Sequence, residues 1–275
     1  MLTVILSFLL TSVPLTVTYD GQVVDELMRE DFELHYVDPL LIDETKLELQ
    51  MDVLNDKMYK EPTDAKLADN GNIIKEKPGI ALDRMEFKNG FRDYFYGRDT
   101  AEIALPERTI YPRVDSELIA EIREQEIGSY ATDFKENNEE RSRNIELASE
   151  AINNHVVFPG EEFSFNEVVG KRTEEKGYKR APVIVKGELS EDIGGGICQV
   201  SSTLYNAVDL EGIEMTERYS HSRSVPYVPP GRDATVSWYG PDFAFTNQLK
   251  HPILIRASAE NGNMDIKILS ATDGQ

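Results

Sequence analysis

The sequence predicts an α+β protein, and two patterns support that prediction. Helical spacing of apolar residues recurs along the chain, over residues 43–55, 83–96, 138–153 and 197–208. After the last of these helices the pattern changes to short alternating segments between turns, at 235–238, 243–246, 253–257 and 264–269. We therefore expect helices packed on an antiparallel sheet in the C-terminal part of the chain.

The length of 275 residues favours two domains of ordinary size. We place an N-terminal mixed α/β module at residues 20–125 and a C-terminal α+β domain at 126–275. A helix capped by Ser116 is expected to bridge them. Within the first module, Asp69-Asn70-Gly71-Asn72 predicts a hairpin turn.

Residues 1–19 form a separate segment that resembles a signal or an anchor. The apolar run from Leu2 to Val17 is short and interrupted by polar residues, so no stable membrane span is predicted. Neither basic residues directly after Met1 nor a small-x-small cleavage site is evident. An altered export signal, an N-terminal anchor and a strand over Leu15–Tyr19 are the alternatives.

The chain is strongly acidic, with 29 basic and 50 acidic residues and a formal charge of -21. Such a charge disfavours binding to nucleic acid or to an anionic membrane surface. The acidity is uneven, because residues 166–238 contain nine basic and eleven acidic side chains. An anionic small ligand or a peptide carboxylate would be repelled least in this region.

The chain has one cysteine, Cys198, which excludes a disulfide within the chain and a multi-cysteine zinc site. The histidines show no metal-binding spacing, so neither a metal nor another cofactor is predicted. These histidines are His35, His155, His221 and His251.

The only cysteine directly follows a glycine loop, Gly194-Gly195-Gly196, and should lie in the first turn of a helix that starts at Ile197. Unpaired amides and the helix dipole at that position favour a thiolate, or alternatively bind a carboxylate. The apolar stripe of this helix should face the core, and Cys198 should lie on the neighbouring polar stripe. A merely structural cysteine is the alternative.

A thiolate nucleophile needs a base and a group that orients the base. His221 and Asp233 follow Cys198 in an order suited to these roles, and Asp242 competes with Asp233 as the acid. The glycine loop and the Cys198 amide are candidates for an oxyanion hole. A surface histidine and a turn aspartate are the structural alternatives.

Three sequence blocks together resemble the VanW family: Phe163–Asn166, Gly194–Ala207, and His221-Ser222 through Tyr227–Val236. The resemblance extends over about residues 128–257 and implies a bacterial cell-envelope protein, but it carries no established reaction. The stretch from about Leu47 to Ile122 more weakly resembles the peptidoglycan-binding module that often precedes VanW domains. We therefore expect an extracytoplasmic protein, associated with the cell wall, whose partner is peptidoglycan or its stem peptides.

Two functions are compatible with these observations. In the first, the chain is a cysteine-dependent hydrolase or acyl transferase that uses Cys198, His221 and Asp233 on stem-peptide amides. In the second, the chain is a non-catalytic protein that binds peptidoglycan. In either case the ligand-binding residues predicted are Gly194, Gly195, Gly196, Ser202, Tyr205, Arg223 and Arg232.

Overall fold

The computed structural model describes residues 13–97, 101–185 and 188–272. The chain divides into two compact units. The first contains the residues up to Asp64 together with Lys75–Arg113, and the second contains Ala65–Ile74 and the residues from Val114 onward. The hairpin at 65–74 and the helix after Val114 thus group with the C-terminal unit, which is larger than the 126–275 domain expected from the sequence.

Two helices and several short strands form the first part of the chain. In chain order the elements up to Arg113 are β1 (Leu15–Tyr19), β2 (Gln22–Leu27), a 3-10 turn (Arg29–Phe32), β3 (Glu33–Leu34), β4 (Asp38–Ile42), α1 (Glu44–Met58), β5 (Lys66–Leu67), β6 (Ile73–Ile74), β7 (Gly79–Leu82), α2 (Arg84–Phe95), β8 (Glu102–Ala104) and β9 (Glu107–Ile110). The predicted helices at 43–55 and 83–96 are confirmed, as is the turn between β5 and β6.

Both helices of the first unit begin at a capping aspartate, because a carboxylate can accept hydrogen bonds from the free amides of a first turn. Asp43 caps α1 and Asp83 caps α2. β1 pairs antiparallel with β2 and parallel with β8, so Leu15–Tyr19 form a strand of this unit. Residues 1–12 of the signal-like segment lie outside the described residues. The buried core contains Leu47, Met51, Leu54, Phe87, Phe91 and Phe95.

A ladder of ion pairs joins the exposed faces of α1 and α2. The basic residues Arg84, Lys88 and Arg92 are spaced four apart on α2 and lie beside carboxylates spaced four apart on α1. Arg92 Nη2 is 2.9 Å from Glu44 Oε1, and Lys88 also pairs with Glu44 at 3.4 Å. The remaining pairs are Arg84 with Glu48 and Asp52, and Lys88 with Glu48.

The second unit combines four further helices with antiparallel sheets. Its elements from Val114 onward are α3 (Ser116–Ile122), β10 (Gln125–Asp133), α4 (Glu139–Ile152), β11 (His155–Val157), β12 (Glu162–Ser164), α5 (Phe165–Val169), β13 (Arg180–Val185), β14 (Glu188–Ile193), α6 (Ile197–Val208), β15 (Ile213–Glu217), β16 (Ala244–Asn247), β17 (Ile253–Glu260) and β18 (Asn263–Ser270). α3 is capped by Asp115, one residue before the predicted Ser116.

The main sheet of this unit is antiparallel, with the strand order β10-β18-β17-β11. α4 packs on β17, and α6 packs on β10 and β18. Their contacts enclose one apolar core that includes Ile145, Val200, Leu204, Ile255 and Ile266. The expected α+β fold, with helices packed on an antiparallel sheet, is confirmed.

The predicted four-stranded meander is wrong in two respects. Residues 235–238 are not a strand, and β16 pairs with β12 and β15 instead of β17. The alternation at 235–238 does not correspond to alternating burial, because Val236 is buried whereas Ser237 and Trp238 are exposed. Just before this segment, Ala234 accepts a hydrogen bond from Ser201 Oγ at 2.7 Å and donates one to Ser202 Oγ at 2.9 Å, which holds the chain on the polar side of α6.

Candidate functional site

The glycine loop before α6 requires glycine, both because of its backbone φ angles and because neighbouring atoms leave no room for a Cβ atom. Gly194 and Gly196 have φ angles of +89° and +108°, in the left-handed region. A Cβ atom on Gly195 would lie 2.5 Å from the carbonyl oxygen of Ala181. The loop therefore brings the chain close to β13 and starts α6 at Ile197.

Helix α6 is covered on both of the sides predicted for it. Its apolar stripe (Ile197, Val200, Leu204 and Val208) is buried in the core, as expected. Its polar stripe is covered by the 218–243 loop, the long connection between β15 and β16. Cys198 Sγ is 3.5 Å from the Val236 carbonyl oxygen and 3.8 Å from Thr235 Oγ1. Cys198 is a partly exposed free thiol.

The 218–243 loop brings His221 and Asp233 to the cysteine. His221 Nδ1 is 2.7 Å from Asp233 Oδ2, and the His221 backbone N–H donates to the same oxygen at 2.6 Å. The His221 ring also lies close enough to the Cys198 side chain for each group to shift the pKa of the other. The structure thus joins the three residues predicted as nucleophile, base and orienting acid in a continuous chain of contacts.

The electrostatics of this group favour the ionised pair. Burial alone raises the pKa of Cys198, but the hydrogen bond and the charge of His221 outweigh it and lower that pKa overall. Burial alone lowers the pKa of His221, whereas contacts with Cys198 and Asp233 raise it. Burial raises the pKa of Asp233, but the hydrogen bonds from His221 lower it, and the pKa of Asp233 is lowered overall. All three shifts therefore favour the charged forms, which are a thiolate, an imidazolium and a carboxylate.

Backbone amides beside the sulfur are available to stabilise an oxyanion. In the first turn of α6, the Ile197 N–H donates to Gly194 and the Gln199 N–H to Gly196. The N–H groups of Gly195, Gly196 and Cys198 have no acceptor among the described residues. The Gly194 N–H donates to the Lys179 carbonyl, so it is not available to an oxyanion. The candidate oxyanion donors are therefore the amide of Cys198 and those of Gly195 and Gly196.

Among the predicted ligand-binding residues, Tyr205 and Arg232 form a separate cluster. Tyr205 lies seven residues after Cys198, about 10 Å along the helix. Arg232 stacks over its ring at 4.8 Å, bonds Asn206 Oδ1 at 2.7 Å and pairs with Asp209. These contacts fasten the 218–243 loop to the C-terminal end of α6. A ligand-binding role for Tyr205 and Arg232 stays a prediction.

Other predicted residues are placed as follows. Ser202 is fully buried, and its hydroxyl donates to the Cys198 carbonyl at 2.6 Å, so it lies directly behind the site. Arg223 is exposed on the 218–243 loop. Asp242, the alternative acid, instead accepts hydrogen bonds from Ser164 and from the Asn166 amide at the start of α5.

Comparisons with known proteins agree with the resemblance in the sequence. Residues 140–269 match the family model described as "VanW like protein". A relative from Bacillus subtilis (strain 168), named "Uncharacterized protein YoaR", is 54% identical over 257 residues, which cover 94% of this chain and 85% of the relative.

The chain belongs to the VanW family. "Vancomycin B-type resistance protein VanW" of Enterococcus faecalis (strain ATCC 700802 / V583) is 36% identical over 62 residues, which are 22% of each chain. No solved structure matches the chain. Family membership indicates a cell-envelope-related protein. In the described part of the chain, no helix combines the length and apolar character needed to cross a membrane.

The VanW domain contains three site residues that the sequence reasoning missed. Tyr227 lies next to the Ser202 hydroxyl, and burial together with the Cys198 charge raises its pKa, so its hydroxyl stays protonated. Arg141 and Arg172 are largely buried cations, and burial lowers the pKa of each although the Cys198 charge opposes that effect. Tyr227 belongs to a block that carries the family resemblance, which was the one available signal.

Proposed function

We propose that this VanW-family protein is a cysteine-dependent hydrolase or acyl transferase that acts on amide bonds of peptidoglycan stem peptides. The observation that carries the proposal is the contact chain from Cys198 through His221 to Asp233. Membership of a cell-envelope-related family supports peptidoglycan as the substrate, and stem peptides supply the amide bonds. Residues 20–125 would serve as a peptidoglycan-binding module, and the whole protein would act outside the cytoplasm at the cell wall.

The first half of the proposed reaction forms a thioester. The Cys198 thiolate attacks the amide carbonyl carbon, and the Cys198 N–H stabilises the negative charge that develops on the carbonyl oxygen. The protonated His221 gives its proton to the leaving nitrogen as the carbon–nitrogen bond breaks. Asp233 keeps the imidazole oriented and stabilises its charged form.

The second half of the reaction releases the acyl group. His221, now neutral, takes a proton from water in a hydrolase or from an acceptor amine in a transferase. The new oxygen or nitrogen bond to carbon forms as the carbon–sulfur bond breaks, which regenerates the thiolate. The imidazole therefore acts as an acid in one half and as a base in the other.

The decisive experiment compares muropeptide profiles after purified peptidoglycan is incubated with wild-type protein and with Cys198→Ser. We expect the wild type to change the profile and Cys198→Ser to leave it unchanged. The intact mass of the wild-type protein should also show an acyl adduct that hydroxylamine removes. Ser222→Ala, an exposed change beside His221, is the matched control and should behave like the wild type.

The second candidate function is a non-catalytic peptidoglycan-binding protein, and the buried cations near Cys198 favour it as an anion site. Unchanged profiles with both wild type and Cys198→Ser, together with co-sedimentation of both on insoluble wall, would reject the enzyme and support the binder.

A further inference from the structure

The side chain of Arg172 is held in place at one nitrogen and left unpaired at another. Its Nη1 donates to Asn166 Oδ1 at 2.7 Å. Asn166 is itself fixed, because its Nδ2 donates to the carbonyls of Ser237 and Pro241. Arg172 Nη2 is fully buried and has no hydrogen-bond partner among the described residues. A buried guanidinium nitrogen without an acceptor is costly, so this group is prepared for a ligand.

The glycine loop connects Arg172 to the nucleophile. A Cβ atom on Gly194 would lie 3.3 Å from Arg172 Cγ, so the aliphatic stem of the arginine packs directly on the loop that precedes Cys198. The guanidinium is near enough to Cys198 for the two charges to affect each other. An anion bound at Nη2 would therefore lie within electrostatic range of the reacting sulfur.

Among the described residues, no carboxylate is hydrogen-bonded to Arg141 or Arg172, although the charge of Asp242 acts on Arg172. Both oxygens of Asp242, the nearest acid to Arg172, already accept hydrogen bonds from Ser164, Asn166 and Phe243. Arg141 Nη2 donates to the neutral Gln199 side chain at 2.6 Å, and no carboxylate acts on its charge.

The unpaired nitrogen of Arg172 leaves the site in need of an acceptor. The cluster has no excess charge, because Arg141, Arg172 and His221 carry three positive charges and Cys198, Asp233 and Asp242 carry three negative charges when all are ionised. A carboxylate is the anion that matches the fork of a guanidinium. Such a ligand would satisfy the unpaired nitrogen of Arg172.

We propose that Arg172 binds a carboxylate of the substrate next to the carbonyl that Cys198 attacks. This inference rests on the proposed function and narrows its substrate class to peptides with a free carboxylate near the scissile amide. Arg172 is then the specificity-determining residue, and Arg141 adds charge to the same site. Neutral amides of the same shape would be poor substrates, because they leave the buried guanidinium without a counter-charge.

Two alkylating reagents of nearly equal shape test this proposal on the full chain. In iodoacetate a carboxylate is bonded to the carbon that the Cys198 sulfur attacks, whereas in iodoacetamide a neutral amide is bonded there. With both reagents a sulfur–carbon bond forms as the carbon–iodine bond breaks and iodide leaves, and Cys198 is the only thiol in the chain. We expect the ratio of the iodoacetate rate to the iodoacetamide rate to fall about tenfold in Arg172→Gln.

Matched variants distinguish specific binding of the reagent's carboxylate by Arg172 from a nonspecific effect of positive charge on the reagent. Arg180→Gln removes the same charge from an exposed guanidinium and should leave the ratio unchanged. Arg172→Lys keeps the charge without the fork and should give an intermediate ratio. It also provides the test if Arg172→Gln does not fold, as judged by circular dichroism. Equal falls in Arg172→Gln and Arg180→Gln, or no fall in either, would overturn the proposal.

The same measurements distinguish failure of this inference from failure of the proposed function. A wild-type iodoacetamide pH profile with a midpoint near the ordinary thiol value of about 8.5 would count against the enzyme alone. A midpoint well below that value, together with an iodoacetate-to-iodoacetamide rate ratio that does not depend on Arg172, would support an activated thiol but reject the carboxylate site. A ratio that depends on Arg172 supports the carboxylate site whatever the midpoint.

Discussion

Two groups of charged side chains in this protein use charge in opposite ways. On α1 and α2, each basic residue of the ion-pair ladder lies beside one or two carboxylates, and the side chains are largely exposed. Around Cys198, charges are buried and two guanidiniums lack a carboxylate partner. Exposed pairs add little to stability, whereas buried unpaired charge lowers it. The cost borne by the second group is a sign of function rather than of folding.

The largest expected effect comes from removing the base. His221→Gln should slow alkylation of Cys198 by iodoacetamide at pH 7 by about 100-fold, because burial then raises the thiol pKa against only the smaller effects of Val236 and Thr235. In the wild type, the thiolate–imidazolium pair should persist from the lowered Cys198 pKa up to the raised His221 pKa.

Rate-against-pH curves for wild type, His221→Gln and Ser222→Ala give the measurement. The midpoint of His221→Gln should move above about 8.5, and Ser222→Ala should match the wild type. If His221→Gln keeps the wild-type midpoint, the imidazole does not activate the thiol.

A smaller effect on Cys198 alkylation is expected when the orienting acid, Asp233, is replaced. Asp233→Asn removes the charge that supports the imidazolium, so the pKa of His221 should fall and that of Cys198 should rise by less than in His221→Gln. We expect iodoacetamide alkylation at pH 7 to slow by about tenfold. Titration of the His221 ring by NMR should show its pKa lowered, and an unchanged value would contradict the orienting role.

Stability provides a further test of the comparison. Arg172→Met replaces a buried, unpaired cation with an apolar side chain of similar length, so the free energy of unfolding should rise by about 1 kcal/mol. Urea denaturation measures this change. A loss of more than about 2 kcal/mol would identify Arg172 as a structural element of the fold.

The smallest effect belongs to the ion-pair ladder. Arg92→Met removes an exposed pair with Glu44, and its cost should be at most about 0.5 kcal/mol. Because surface pairs are screened, this difference should disappear in 1 M salt. A cost that exceeds 1 kcal/mol and persists in salt would mean that the ladder contributes as a buried network does.

Features of the fold that depend on local sequence were predictable. Asp43 and Asp83 mark helix starts through hydrogen bonds to the next turn, and the apolar spacing of α6 identified its core face. The pairing of β16 was not predictable, because it depends on strands distant in sequence. Likewise, the alternation at 235–238 does not mark the face of a sheet, because Val236 is buried beside Cys198 whereas Ser237 and Trp238 are exposed.

The residues of the candidate site also divide into those that local sequence predicts and those that it does not. The glycine loop and Cys198 could be recognised because they are consecutive residues in the sequence. His221 and Asp233 were indicated by their order along the chain after Cys198. Arg141 and Arg172 were missed because nothing local separates a buried arginine from one in solvent. Their significance lies in the missing counter-charge, which only the three-dimensional arrangement reveals.

His221 and Asp233 lie twelve residues apart on one connection, and one oxygen of Asp233 holds both the ring and the backbone of His221. The base and its orienting acid therefore lie on one loop, which the hydrogen bonds of Ala234 with Ser201 and of Arg232 with Asn206 hold against α6. If the 218–243 loop lifts from α6, the thiol loses both partners at once. The pKa of Cys198 therefore also reports whether the 218–243 loop is in contact with α6.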